Sequence, residues 1–160
     1  MTFFSRTILL LAAMAMLATP ALAQNFGDFN MEILAKKLKA DKKQVVAMNM
    51  DLNRFEAMSF WPLYDTYQVQ LRKMNQRINT IIREYTIAYS KSGLVPDPIA
   101  QKLIEAVLVT EIKELKIKLA NYRAVESVLP AVKVMRYLQI ESKIRAIEKL
   151  GTASKVPLIY

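Results

Sequence analysis

The chain has 160 residues and a formal net charge of +9, with 23 lysines and arginines against 14 acidic residues. It contains no cysteine and no histidine, which excludes a disulfide framework and removes the usual ligands of zinc, copper and nickel. Only three glycines occur in a chain rich in Leu, Ile, Ala, Lys and Met, and this composition favours helices over strands. The length suits a single all-α domain.

The first 23 residues have the pattern of a secretory signal peptide. Arg6 supplies a positive start, Ile8–Leu17 is a short apolar core, and Ala23 ends a small-x-small cleavage site. A membrane anchor is the alternative, but the apolar run is shorter than the roughly 20 residues that a spanning helix needs. We therefore expect cleavage after Ala23, a periplasmic product and one helical domain over residues 24–160.

A first helical region is predicted over residues 31–48, and Asp41 interrupts its apolar pattern. Asp41 either caps a new helix together with Gln44, or lies within one continuous helix and pairs with a Lys or Arg on a neighbouring helix. The third interpretation, a solvated aspartate beside Lys42 and Lys43, is the one that we favour from the sequence. The apolar positions are Leu34, Leu38, Val45 and Met48.

A long central helix is predicted over residues 53–90, because its apolar residues recur at alternating spacings of three and four. This is the spacing of a helix that is buried along one seam. The polar residues between them indicate an exposed opposite face. The seam consists of Phe60, Tyr64, Tyr67, Leu71, Met74, Ile78, Ile81, Tyr85 and Ala88.

The ends of the central helix are also predicted. Asn53 and Glu56 have the spacing of a capping box, in which each side chain accepts from the other residue's backbone N–H. Gly93 can adopt the left-handed conformation that ends a helix. Pro62 lies inside the pattern. Because proline removes a backbone donor, we expect a bend there, or a helix whose first turns are set off from the rest.

A third helix is predicted over residues 98–126, with Asp97 as N-cap and Pro98 in the first turn. Glu114 and Lys118 are expected to pair on its outer face. Its apolar stripe is Ile104, Leu108, Ile112, Leu115, Leu119 and Tyr122.

A fourth helix is predicted over residues 130–150, closed by Gly151. An apolar tail over residues 151–160 is expected to dock on the bundle. The inward positions of this helix are Val134, Tyr137, Ile140, Ile144 and Ile147.

The sequence contains no catalytic constellation, and we predict no enzyme activity, no cofactor and no metal site. The glycine motifs of common nucleotide-binding and hydrolase sites are missing. The central helix instead offers a basic face and an aromatic group, which is either core or a partly exposed binding patch. The candidate residues for binding a client or partner are Arg72, Lys73, Arg77, Arg83, Phe60, Trp61 and Tyr64.

The export signal, the all-helical pattern, the long basic second helix and the opening Leu52-Asn53-x-x-Glu56 resemble the Spy/CpxP family of periplasmic proteins. That family carries Leu-Thr-x-x-Gln motifs, and Thr-x-x-Gln is a capping box like the one predicted at Asn53. The segment Phe60-Trp61-Pro62-Leu63-Tyr64 also looks like exported helical proteins related to that group. The resemblance implies a cradle-shaped, often homodimeric protein that binds unfolding clients without ATP or restrains an envelope stress sensor.

We therefore expect an elongated antiparallel four-helix bundle of Spy/CpxP type that acts as an ATP-independent chaperone or envelope-stress adaptor. The alternative is a structural adaptor that docks on one specific envelope partner and has no general chaperone activity. The expected partners are unfolded or acidic envelope proteins, to which a basic surface is attracted. Neither nucleic-acid binding nor stable membrane insertion is expected.

Overall fold

A computed structural model describes residues 41–154 and 156–158, and throughout these ranges the secondary structure is helical with no strand. The prediction of an all-α fold with four helices is confirmed. The predicted signal peptide and the positions Leu34 and Leu38 lie outside the described residues. The helices are α1 (Lys42–Met50), α2 (Arg54–Ser92), α3 (Asp97–Glu126) and α4 (Ala131–Ala153).

Helix α1 begins at a side-chain cap. The Asp41 carboxylate accepts hydrogen bonds from the backbone N–H groups of Lys43 and Gln44, at 2.8 and 3.1 Å. Of the three interpretations of Asp41, capping of a new helix is observed, and the capping aspartate is also exposed to solvent. Val45 is buried as expected, whereas Met48 is exposed.

Helix α2 is the long central helix and has the predicted start, end and buried face. Asn53 Oδ1 accepts from the N–H groups of Phe55 and Glu56, and Glu56 Oε2 accepts from Asn53 N at 2.8 Å. The helix continues through Pro62 for 39 residues and ends at Gly93, whose φ of 69° is left-handed. All nine seam residues are buried or half-buried.

Two predicted helix ends are wrong by a few residues. Asp97 is the first residue of α3, and the N-cap is Pro96, which makes no side-chain hydrogen bond. Helix α4 continues past Gly151 to Ala153. Gly93 ends its helix because it takes a positive φ, whereas Gly151 stays in the helix, where glycine is tolerated at a cost of about 1 kcal/mol.

The helices α2 and α3 form an antiparallel hairpin, and α4 packs back along α3. Lys102 of α3 meets Glu84 of α2 near the turn, while Asn121 of α3 meets Tyr137 near the start of α4. This path makes α4 run parallel to α2. Gln68 and then Asn75 of α2 contact α4 residues successively closer to its C-terminus.

Helix α1 crosses back over α4 in the antiparallel direction. Lys42, at its start, contacts Glu141, and Asp51, just after its end, accepts a hydrogen bond from Lys133 near the start of α4. Val46 and Met50 of α1 are fully buried. The short first helix therefore closes the side of the bundle formed by α2 and α4.

The predicted apolar stripe of α3 lies on the outside of the bundle, except at Tyr122, which is half-buried. The other five stripe residues are between 49% and 66% exposed, namely Ile104, Leu108, Ile112, Leu115 and Leu119. Leu103, Thr110, Asn121 and Val125 are buried in their place. The buried face is partly polar because α4 presents polar partners to it. Glu114 binds Arg145 and Lys149 of α4, and no Glu114–Lys118 pair forms.

Helix α4 is oriented as predicted. Tyr137, Ile140 and Ile144 are buried, and Val134 and Ile147 are half-buried. Beyond its end, Val156 packs against the apolar cluster of Ile81, Tyr85 and Leu103, so the expected docking of the tail is observed at that residue. We call this end, from Ile78 of α2 through the turn to Leu108 of α3, the hairpin tip.

Candidate functional site

A row of four cations lies along the outer face of α2. Arg72, Lys73, Arg77 and Arg83 are exposed, and none of them forms a salt bridge with another described residue. They arise from the polar positions between seam residues, which the helical period places away from the core. The structure thus presents the predicted basic face to solvent with its charges uncompensated.

The aromatic candidates divide between core and surface. Phe60 is fully buried and Tyr64 is 2% exposed, so neither offers a contact surface in this fold. Trp61 is half-buried, and Lys43 Nζ lies 5.1 Å from the centre of its ring. Among these three candidates, Trp61 alone can contact a partner without a change of fold.

The buried aromatic rings form a compact cluster that joins α2 to α4. The ring centre of Phe60 lies 5.0 Å from that of Trp61 and 5.1 Å from that of Tyr137, both in edge-to-face geometry. Tyr64 adds a fourth ring, 5.5 Å from that of Trp61. Such pairs stabilise a fold beyond the area that they bury. The cluster is therefore part of the core.

An open apolar groove of about 390 Å³ lies at the hairpin tip. Its volume falls in the range of small-ligand and side-chain pockets. The tail forms one wall, because the Tyr85 hydroxyl donates a hydrogen bond of 2.8 Å to the Pro157 carbonyl and holds Val156 in place. The lining is Ile81, Ile82, Tyr85, Val95, Ala100, Leu103, Ile104, Val107, Leu108 and Val156.

The centre of the bundle contains a buried carboxylate. Glu141 of α4 is 1% exposed, and its Oε1 accepts from Lys42 Nζ at 3.1 Å and from Gln68 Nε2 at 3.4 Å. A buried carboxylate is tolerated only when a cation or several donors compensate it. Glu141 therefore ties α1 and α2 to α4.

A second buried charge lies one turn further along α4. The Arg145 guanidinium contacts Glu114 at 2.7 Å, Glu148 at 2.6 Å and the Asn75 side-chain oxygen at 3.1 Å. Burial opposes its charge, but the hydrogen bonds to Glu114 and Glu148 outweigh this and leave the pKa of Arg145 raised. Arg145 thus connects α2, α3 and α4 through a single side chain.

Four tyrosines surround Glu141. Burial is the main cause that raises the pKa of each hydroxyl, and the Glu141 carboxylate raises it further at all four. They stay protonated at neutral pH, so they do not act as bases. Asn121 Nδ2 donates to the Tyr137 hydroxyl at 3.0 Å. The four are Tyr64, Tyr67, Tyr122 and Tyr137.

Sequence reasoning missed this network because it treated acidic residues as solvated surface. The signal was present: Tyr137, Glu141, Ile144 and Glu148 follow one another at spacings of four, three and four. Two carboxylates therefore occupy positions of an otherwise apolar face. Charged residues at such positions indicate buried partners on neighbouring helices.

Within the described ranges no group of acidic residues has the arrangement of a metal site. None of the described helices is long and apolar enough to cross a membrane. Comparison of the chain with protein-family models, with curated proteins and with solved structures returned no match.

Proposed function

We propose that this chain is an ATP-independent periplasmic binding protein for partly unfolded or acidic envelope proteins, a divergent relative of the Spy/CpxP family. The observation that carries the proposal is the exposed row of four uncompensated cations on α2, Arg72, Lys73, Arg77 and Arg83. The interior charges are compensated by partners, so the positive excess lies on the surface, where it attracts acidic chains over long range.

Short-range contact comes from apolar surface near the same helix. Trp61 remains partly accessible beside the row, and the groove at the hairpin tip accepts an apolar side chain of a client. A partly unfolded protein exposes such side chains together with charges. Binding of this kind needs no nucleotide, since the sequence has no phosphate-binding loop.

The second candidate function is that of an adaptor for one specific envelope partner. The groove favours it, because a defined apolar pocket of about 390 Å³ selects for shape in a way that a charged face does not. The two functions differ in one measurement: an adaptor does not protect unrelated proteins from aggregation.

The test is light scattering by an unfolded protein of acidic net charge, at low salt and without ATP, with the purified chain in several-fold excess. We expect slower aggregation, and we expect the protection to fall as salt approaches 0.1 M, where charges more than about 10 Å apart are screened. No protection at low salt would exclude the chaperone function and leave the adaptor.

The matched variants reverse two charges on different faces. Arg72→Glu/Arg77→Glu should weaken protection, whereas Lys113→Glu/Arg136→Glu should leave it nearly intact, although the net charge changes equally. All four residues are exposed, so helical circular dichroism should be unchanged. Equal loss in both variants would mean that overall charge, and not the α2 row, carries the activity.

The proposed localisation has its own test. If residues 1–23 are removed on export, the protein from the periplasmic fraction begins at Gln24. An N-terminus at Met1, with the protein in the membrane pellet, would contradict both the cleavage and the compartment.

A further inference from the structure

The apolar groove at the hairpin tip is partly filled by a segment of the chain itself. Val156 lies shortly beyond the end of α4, packs against the apolar cluster of the tip and is half-buried. Pro157 is exposed, and Leu158 is 71% exposed. Among the described tail residues, Val156 is therefore the one that places its side chain in the groove.

A polar contact holds the backbone of this segment. The Tyr85 hydroxyl donates a hydrogen bond of 2.8 Å to the Pro157 carbonyl. Residues 156–158 are not helical, and proline favours an extended conformation at the residue before it. Because every peptide has a carbonyl that can accept from this hydroxyl, Tyr85 recognises extended chain. The apolar lining of the groove selects an aliphatic side chain beside it.

We infer that the groove binds an extended apolar segment of a client protein, and that residues 156–158 of this chain compete for the same contacts. The inference rests on the proposed function, because it concerns the groove that this function uses. The tail is joined to α4, so it occupies the groove without the loss of translational freedom that a separate molecule incurs. A tethered segment acts at an effective concentration in the millimolar range. A client segment has to overcome this competition before it binds.

The other walls of the groove are formed without the tail. Besides Val156, the lining residues belong to α2, to the turn and to α3, so departure of the tail leaves them in place and adds the space of one valine side chain. The competition favours clients that carry acidic residues as well as apolar ones. Such a client also binds the α2 row, and two linked contacts reach an avidity that an apolar segment alone does not.

NMR titration of the full chain with a capped peptide of residues 154–158, Ser-Lys-Val-Pro-Leu, tests the competition. The methyl groups of Ile81 and Leu103 belong to residues that line the groove, and they report binding there. Val156→Asp should expel the tail, because an unpaired carboxylate is not tolerated among apolar residues. A tail that is seated about nine-tenths of the time leaves about one-tenth of the grooves open. The variant should then bind the peptide with a dissociation constant about tenfold lower than that of the parent.

The matched control is Leu158→Asp, which introduces the same charge at an exposed residue of the same segment. It should bind the peptide as weakly as the parent does. Equal dissociation constants in the parent and in Val156→Asp would show that the tail does not compete. Unmoved Ile81 and Leu103 signals in Val156→Asp would show that the groove does not take this segment. Either result would overturn the inference.

Tyr85→Phe tests the recognition of the peptide backbone. In the Val156→Asp chain it removes the donor and keeps the ring, and it should raise the dissociation constant of the peptide about two- to tenfold, the effect of one neutral hydrogen bond. The control is Tyr89→Phe in the same chain, because the Tyr89 ring stacks on that of Tyr85 at 5.8 Å but lies outside the groove lining. Equal effects of the two substitutions would contradict recognition through the Tyr85 hydroxyl.

The peptide titration and the aggregation assay fail separately. If the proposed function is wrong and this inference is right, the peptide binds Val156→Asp more tightly than the parent, but neither chain protects a client. If only this inference is wrong, the parent protects a client and Val156→Asp protects it no better. If both are right, Val156→Asp protects at a smaller molar excess than the parent.

Discussion

The four-helix part of the molecule and the hairpin tip are stabilised in different ways. Around Glu141 and Arg145, four helices meet, and ion pairs and tyrosines fill the space between them. At the tip, Ile81 and Tyr85 of α2 and Leu103 of α3 form a small apolar cluster beside an open groove. The tail residue Val156 packs against this cluster.

Along the hairpin of α2 and α3, the four-helix part is therefore expected to be rigid and the tip is expected to adjust its shape more easily. Local opening has the lowest free energy where few apolar contacts and few long-range partners hold a segment. We expect amide hydrogen exchange in the native state to be faster at the tip than around Phe60 to Leu71. A client that enters the groove would then meet the part of the fold that most readily adjusts its shape.

The largest loss of stability is expected when the buried cation Arg145 is removed. Arg145→Ala removes the cation that Glu114 and the half-buried Glu148 share and leaves them only the longer contacts to Lys149 and Lys42. Breaking a buried ion network in this way costs on the order of 3–5 kcal/mol. Urea denaturation should show this loss. Arg136→Ala, at an exposed site on the same helix, should change stability by less than about 0.5 kcal/mol; a similar loss in both variants would show that the network is not what holds the four-helix part.

Replacing one leucine by alanine in each region compares how tightly the two regions are packed. Leu71→Ala, in the four-helix part, should cost about 2–5 kcal/mol because neighbours on several helices cannot collapse into the cavity. Leu103→Ala should fall at the low end of that range, since its surroundings are already partly open. Gln76→Ala, off the seam, is the control. A larger loss of unfolding free energy in Leu103→Ala than in Leu71→Ala would mean that the tip, and not the four-helix part, is the rigid region.

Substitutions at the two ends of α2 form a matched pair, and their expected effects on stability are smaller. Asn53→Ala removes the acceptor of two backbone N–H groups and should cost about 0.5–2 kcal/mol. Gly93→Ala places a side chain at a φ of 69° and should cost about 1–2 kcal/mol. We expect exchange at the tip to rise with the second change and not with the first. Unchanged denaturation midpoints in both variants would contradict the observed caps.

The smallest effect is expected at Glu56, at the far end of the four-helix part. The hydrogen bond from Lys133, followed by that from the Asn53 N–H, holds the pKa of Glu56 below its ordinary value of 4.5. Because the folded pKa is the lower one, this stabilisation is present above about pH 4.5 and is lost as the pH falls through the folded pKa. The difference in stability between the parent and Glu56→Gln should shrink in acid. A difference that does not change with pH would exclude the charge as its source.

The sequence predicts those parts of this fold that depend on local chemistry. The capping box at Asn53, the left-handed end at Gly93 and the buried seam of α2 are each specified by a few neighbouring residues, and all are observed. The basic row of α2 was predictable for the same reason. Its positions follow from the helical period once the seam is known.

The orientation of α3 was not predictable from its own apolar pattern. Its most regular stripe lies outside, and its inner face contains Thr110, Glu114 and Asn121. The polar partners that make this possible, Arg145 and Tyr137, belong to another helix. Periodicity shows which residues share a face, but the neighbours decide which face is buried. For Phe60 and Tyr64, which the sequence leaves open between core and binding patch, packing against Tyr137 of α4 decides for the core.

The parallel alignment of α2 and α4 bears on the order in which the chain folds. Contacts such as Asn75–Arg145 and Tyr85–Pro157 join residues about 70 positions apart, whereas the α2–α3 hairpin closes across a short turn. Contacts between distant residues form slowly, so we expect the hairpin to form first and α4 to dock on it later. Until then the face of α3 that α4 covers is open to water. Its polar residues Thr110, Glu114 and Asn121 keep it from adding a second apolar surface to the exposed stripe from Ile104 to Leu119.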